Sequence, residues 1–169
     1  ILAVFATRLM ADAEVKPLIE KLKEPGPEDR IEAIRELEKL GKEAKNAVLE
    51  LAEAHPDCFF IMYSNGTLID DALARGLGEL GNLSPVLSIE GMKARTDARR
   101  GNGVHDRIVA AAERLRREGV LFGISLTATR DNAEEILSDE VLSTFVDQLG
   151  ALYAFVFHYV PIGRAWTPD

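Results

Sequence analysis

A single cysteine, Cys58, occurs among the 169 residues. One thiol cannot close an internal disulfide, and it cannot supply the several thiolates of a multi-cysteine metal or cluster site. Histidine is almost as scarce: His55, His105 and His158 are dispersed without metal-ligand spacing. His55 reads as a surface turn residue, His105 as solvent-facing at the start of a helix, and His158 as a partly buried strand-end residue or a group facing a ligand. No apolar run approaches the roughly 18 residues of a membrane span, which predicts a soluble, cytoplasmic chain. An excess of positive charge is missing too. The formal net charge is −8, which argues against general nucleic-acid binding, because neutralising phosphates requires a basic face. Neither a Ser/His/Asp order nor a Walker-type phosphate loop stands out.

What is present is ordinary in bulk and informative in pattern. Hydrophobic residues make up 47% and charged residues 28%, as in globular proteins, and the length suits one domain or a little more. One stretch departs from the acidic background: Lys93 to Glu118 holds eight Lys or Arg against four Asp or Glu, a net of +4. Such a stretch suits an anionic small ligand or carboxylate, or equally a solvated helix face laced with ion pairs. The chain begins at Ile1 rather than Met, so it reads as part of a longer reading frame. Ile1 to Ala6 followed by Ala11-Asp12-Ala13 reads as the tail of a secretory signal or as a buried first strand or helix turn.

Two grammars divide the chain at about Asp57. Before it the pattern is helical: Val15, Leu18, Ile19 and Leu22 form one stripe, and Ile31, Ile34, Leu37 and Leu40 form the next, ended by Gly41. Pro25-Gly26-Pro27 separates them, and a third helix is expected over Glu43 to Ala54, with Ala47, Val48, Leu51 and Ala54 inward. Residues Glu14 to Asp57 resemble a HEAT repeat, through Val15-Lys16-Pro17-Leu18-Ile19, Pro25-Gly26-Pro27-Glu28-Asp29-Arg30 and Leu40-Gly41-Lys42. That resemblance implies a helical surface for a protein partner, although about one and a half repeats fall short of the three a solenoid needs. An ordinary helical hairpin over a sheet is the alternative.

From Cys58 onward, short apolar strands alternate with helical stripes, the signature of a parallel α/β sheet. Strands are expected at Cys58 to Tyr63, Pro85 to Ile89, Val120 to Thr127 and Ala151 to His158. Between them lie a helix with Ile69, Ala72, Leu73, Leu77 and Leu80 inward, a long loop from Gly91 to Gly103, and a helix burying Ile108, Ala111, Ala112 and Leu115. A further helix, capped by Ser138, carries Leu142, Phe145, Val146 and Leu149. Sequential order with right-handed crossovers gives the predicted fold class: α/β, a partial parallel βα barrel of about four strands (58–169) preceded by an α-helical HEAT-like hairpin (1–57). Ligands of such sheets bind at the carboxyl ends of the strands, where the turns lie.

Those turns resemble a known family. Tyr63-Ser64-Asn65-Gly66-Thr67, Leu87-Ser88-Ile89-Glu90-Gly91, Thr96-Asp97-Ala98-Arg99-Arg100-Gly101-Asn102-Gly103, Phe122-Gly123-Ile124-Ser125-Leu126-Thr127-Ala128-Thr129 and His158-Tyr159-Val160-Pro161-Ile162-Gly163 stand in the order found in the later half of radical S-adenosylmethionine (radical SAM) enzymes. The resemblance covers Phe59 to Arg164 and implies a pocket for S-adenosylmethionine lined by Asn65, Ser88, Glu90, Ser125 and Thr127, with Arg99 or Arg100 clamping a carboxylate. The residues have plainer readings as well: Asn65-Gly66 as a tight turn, Glu90 as the partner of a nearby arginine, Ser125 as facing a helix, and Cys58 as a small core residue. The resemblance also implies a 4Fe–4S cluster, but its CxxxCxxC loop and Gly-Gly-Glu-Pro turn are missing, and Cys58 alone cannot ligate a cluster. The expectation is therefore SAM or nucleoside binding at the strand ends without radical chemistry by this chain alone. A HEAT-like interaction scaffold and a chimera without a selected function are the alternatives.

Overall fold

A computed structural model describes Leu49 and residues 52–159. The chain divides into two compact units, Ile1–Phe60 and Ile61–Asp169. The HEAT-like segment and the Val160 to Gly163 part of the last turn lie outside the described residues, apart from Leu49 and 52–57. Within that part Ala52 is buried, while Ala54, expected inward, is exposed.

The second unit is built on four strands, β1 (Phe60–Ser64), β2 (Leu83–Ile89), β3 (Gly123–Ala128) and β4 (Tyr153–His158), in the sequential spatial order β1-β2-β3-β4. The sheet is parallel, with Ser88 opposite Ser125 and Ile89 opposite Leu126 between β2 and β3. Between β3 and β4, Ser125 faces Phe155 and Thr127 faces Phe157. The α/β fold class and partial parallel barrel predicted from the strand and helix alternation are present.

Side chains alternate across a pleated sheet, so the register sorts the two faces. Leu87, Ile89, Ile124 and Leu126 share one face and belong to the core, with Leu73 and Leu77 of α1 (Asp71–Leu80) and Ile108, Ala111, Ala112 and Leu115 of α3 (Val104–Arg117). α1 begins where Asp70 accepts a hydrogen bond from the Leu73 amide at 2.8 Å, and it ends at Gly81. Burying this set supplies most of the stability, at about 1.5–3 kcal/mol for each large apolar side chain.

The opposite face carries Ser84, Val86, Ser88, Gly123, Ser125, Thr127, Tyr153, Phe155 and Phe157 by the same alternation. Three steps separate β1 from β4, about 14 Å across a flat sheet at ~4.8 Å per step. Yet the Tyr63 ring lies 5.9 Å from that of Phe155 and 6.0 Å from that of Phe157. The sheet therefore curls towards this face, which is the inner surface of an arc of barrel.

Several boundaries differ from the sequence expectation. β1 starts at Phe60, leaving Cys58 exposed outside the strand rather than in a core. The expected Gly91 to Gly103 loop contains an eight-residue helix, α2 (Lys93–Arg100), with a single buried residue, Thr96. After β3 come two short helices, α4 (Ala133–Ile136) and α5 (Asp139–Leu142), and α5 runs into a π-helical segment, Ser143–Gln148. Ser138 caps α5 as expected, accepting from the Val141 amide at 3.3 Å. Ala72, Leu142 and Val146, all expected inward, are exposed, and Val141 is buried instead. Val141, Phe145 and Leu149, four residues apart through the π-helical segment, make the buried stripe there.

Candidate functional site

The carboxyl ends of the four strands gather the turn residues on one edge of the sheet. At the end of β1, Asn65 is exposed and folds back on its own turn, its Oδ1 accepting from the Thr67 amide (3.1 Å) and the Thr67 hydroxyl (2.9 Å). Gly66 takes φ 72°, as the expected Asn-Gly turn requires.

Ser88 and Ser125 are cross-strand partners, and their hydroxyls meet at 3.1 Å. Ser125, whose plainer reading faces it towards a helix, shares the inner face with Ser88. Thr127 stands one alternation nearer the mouth than Ser125, half-buried, opposite Phe157. His158 falls on the other face, two residues beyond Val156, and is exposed.

Glu90 follows β2 and is 2% exposed. Its carboxylate is held on both oxygens: Arg99 Nη1 donates to Oε2 at 2.9 Å and Arg100 Nη2 to Oε1 at 2.6 Å. The pairing anticipated as the plain reading of Glu90 is thus realised, and both candidate carboxylate clamps rest on a carboxylate of the chain itself. Arg99 also places its guanidinium carbon 5.7 Å from the centre of the Tyr159 ring, just past β4.

Three residues to which the sequence assigned no role fix this edge. Asn132, 4% exposed, donates through Nδ2 to the carbonyls of Glu90 and Thr127, both at 3.0 Å, and accepts through Oδ1 from the Thr129 amide (2.7 Å) and hydroxyl (2.9 Å). It ties the end of β2 to the end of β3. Thr96, fully buried, receives the Glu90 amide at 3.2 Å and donates to the Gly91 carbonyl at 2.9 Å. Glu135 accepts from the Met92 amide at 2.7 Å and from Arg95 at 3.1 Å, and it would stand 2.6 Å from a Cβ placed on Gly91, whose φ is 130°. The Asn three residues after Thr129 was the one local signal of this network.

The first turn of α3 is organised from α2. Asp97 accepts from the His105 amide at 2.8 Å and the Gly103 amide at 3.1 Å. These bonds, the His105 one foremost, hold its carboxyl below the usual range. The Lys93 ammonium, bonded to Asp106, lowers that carboxyl as well. His105, expected at the solvent, is 8% exposed with its ring edge-on to Phe145 at 6.2 Å, because His105, Ile108, Ala112 and Leu115 lie on one helical stripe.

At the opposite end of the inner face the arc is closed by polar contact. Ser84 donates to the Leu121 carbonyl (2.8 Å), so its oxygen accepts from the Tyr153 hydroxyl at 2.6 Å, and burial pushes that phenol above its usual range.

Comparison with solved structures places this architecture. The chain is similar to anSMEcpe with bound AdoMet at 22% sequence identity and TM-score 0.51, over 60% of this chain and 28% of that one. A second structure of anSMEcpe, with AdoMet and the Kp18Cys peptide, gives TM-score 0.52 at the same identity. The matched part of the chain shares the fold of that protein. At this identity the likeness concerns the fold, and the chain spans well under half of the protein it matches. No protein-family model and no curated protein matches the sequence.

The residues do not fit the iron–sulfur cluster that the turn motifs imply. Cys58 is exposed, and among the described residues no three of His, Cys, Asp or Glu are grouped to hold a metal ion. Also among the described residues, no helix is long and apolar enough to cross a membrane.

Proposed function

We propose that the carboxyl edge of the arc binds S-adenosylmethionine or a related nucleoside, and that binding, without radical chemistry, is what this chain does alone. The observation that carries the reading is the Ser88–Ser125 hydroxyl pair, 3.1 Å apart on the inner face of a sheet whose fold is shared with an AdoMet-bound protein. Paired hydroxyls offer donors and acceptors suited to a ribose diol or an amino-acid head group. Thr127 lies beside them on β3, and Asn65 marks the end of β1. Glu90 and Arg99 supply one charge of each sign at the rim. A single cysteine leaves a cluster without ligands, so no step through one is derived.

Isothermal calorimetry with S-adenosylmethionine tests the reading. One site per chain is expected, weakened about 5- to 10-fold by Ser125→Ala, since one hydrogen bond to a ligand is worth about 1 kcal/mol. Absence of heat from the wild-type chain, or no change on Ser125→Ala, would sink it.

A further inference from the structure

Lys93 to Glu118 carries eight Lys or Arg, and ion pairs or hydrogen bonds account for seven of them. Lys93 pairs with Asp106 and Arg95 with Glu135, while Arg99 and Arg100 share Glu90. Arg114 and Arg117 meet Asp71, and Arg116 donates to the Gln148 carbonyl. Among the described residues, Arg107, exposed on α3, is the member of the eight whose side chain has no partner. Leu68, in the loop between β1 and α1, is a large apolar side chain left 52% exposed. Neither exposure serves the fold, and each alone would be unremarkable.

The two meet in one place. Both line a cavity of about 500 Å³ between loop residues 66–70 and the face of α3 that carries Arg107, Ala110 and Arg114 at i, i+3 and i+7. That volume is of small-ligand size. Its walls are tied together, since Arg114 donates to the Ile69 carbonyl at 3.3 Å. A Cβ placed on Gly66 would meet Leu87 at 3.2 Å and Ala111 and Ile108 at 3.7 Å. These residues belong to the helix-covered face, so the cavity lies across the sheet from Ser88 and Ser125.

The charges of the lining select the occupant. Arg114 is engaged by Asp71 and Asp106 by Lys93, while Asp70 caps α1 through Oδ1. Arg107 is then the lining charge that a ligand can neutralise. Two carboxylates nearby, Asp70 and Asp106, repel a second negative charge.

We propose that this cavity is a second ligand site, for a small amphiphilic monoanion: its charged head on Arg107 and its apolar body over Leu68, Ile69 and Ala110. The site is independent of the nucleoside reading, because it uses other residues on the other face of the sheet. A guanidinium offers several N–H donors to the head, and covering Leu68 removes apolar surface from water.

The test is amide NMR of the isotope-labelled 169-residue chain titrated with hexanoate, hexanol and inorganic phosphate, using wild type, Arg107→Ala and Leu68→Ala, with thermal melts of all three. Hexanoate should shift the amides of residues 66–70 and 106–114 saturably and bind roughly 3- to 10-fold more tightly than hexanol, the worth of a half-exposed charged contact. Phosphate should leave those amides unmoved. Arg107→Ala should bind the acid and the alcohol alike, Leu68→Ala should weaken both, and each variant should melt near wild type. S-adenosylmethionine should not displace hexanoate. Absence of saturable shifts at these amides overturns the proposal, as does a hexanoate preference that survives Arg107→Ala or is missing in wild type. A clearly lowered melting temperature for Arg107→Ala also overturns it, since the arginine would then serve the fold. Displacement by S-adenosylmethionine overturns the second site and leaves the nucleoside reading standing.

Discussion

Asn132 uses every hydrogen-bonding atom of its side chain, two N–H donors on carbonyls of β2 and β3 ends and two acceptor positions on Thr129. Few substitutions can imitate that. Asn132→Asp keeps the shape but turns an oxygen towards the Glu90 and Thr127 carbonyls, so a loss of about 2–4 kcal/mol is expected in urea unfolding, from lost bonds and a buried unpaired charge. Gly91→Ala is expected to cost about 1–3 kcal/mol, since φ 130° strains any side chain and the new methyl would meet Glu135; its melting temperature checks this. At this scale the sequence was only partly legible. Ser88 and Ser125 stand on the inner face because strand alternation is local and regular. Glu90 was harder to place, because whether a carboxylate serves a ligand or an arginine depends on where Arg99 and Arg100 come to lie. His105 follows the buried stripe of α3, which outweighs the polarity of its ring.

Elements were legible where their period is clean. α1 and α3 carry apolar stripes at helical spacing, and both helices form, with Asp70 and Ser138 as side-chain N-caps of α1 and α5. α2 was not, because five of its eight residues, Lys93, Arg95, Asp97, Arg99 and Arg100, are charged, and only Thr96 is buried. Its helicity comes from tertiary anchors: Thr96 on the Glu90–Gly91 backbone, the two arginines on Glu90, and Asp97 on the start of α3. That last link has a pH signature. The folded Asp97 carboxyl is held below its unfolded range, so its contribution is full above about pH 4 and disappears as pH falls through the folded value. Asp97→Asn should lower the urea midpoint at pH 7, and the gap from wild type should narrow steadily as the pH is taken below about 4. A gap that stays constant with falling pH would mean that the cap acts through shape alone.

On the scale of the whole sheet unit, protection is graded across the strands. β2 is buried along almost its full length and β3 along most of it, whereas β1 and β4 alternate between half-buried and exposed positions. Hydrogen exchange should therefore be slowest in β2 and β3 and faster in β1 and β4, and mass spectrometry of peptides covering the four strands will show the order. The parallel arc was foreseeable because repeated strand–helix units leave few topologies, all with the turns on one edge. Its curl was not, since it depends on the Tyr63, Phe155 and Phe157 rings meeting across three strand steps.

The Tyr153 ring rests where a side chain on Gly123 would be, 2.4 Å from the nearest point such a Cβ would occupy. Positions 123 and 153 therefore share one volume, and a history of substitutions at these two sites would be correlated. Any side chain at 123 demands a smaller residue at 153, and with the large ring gone the hydroxyl that reaches Ser84 goes too. Glycine in the middle of a strand is in this sense an inherited mark of the tyrosine beside it, and the pair should rise and fall together wherever this arc is reused.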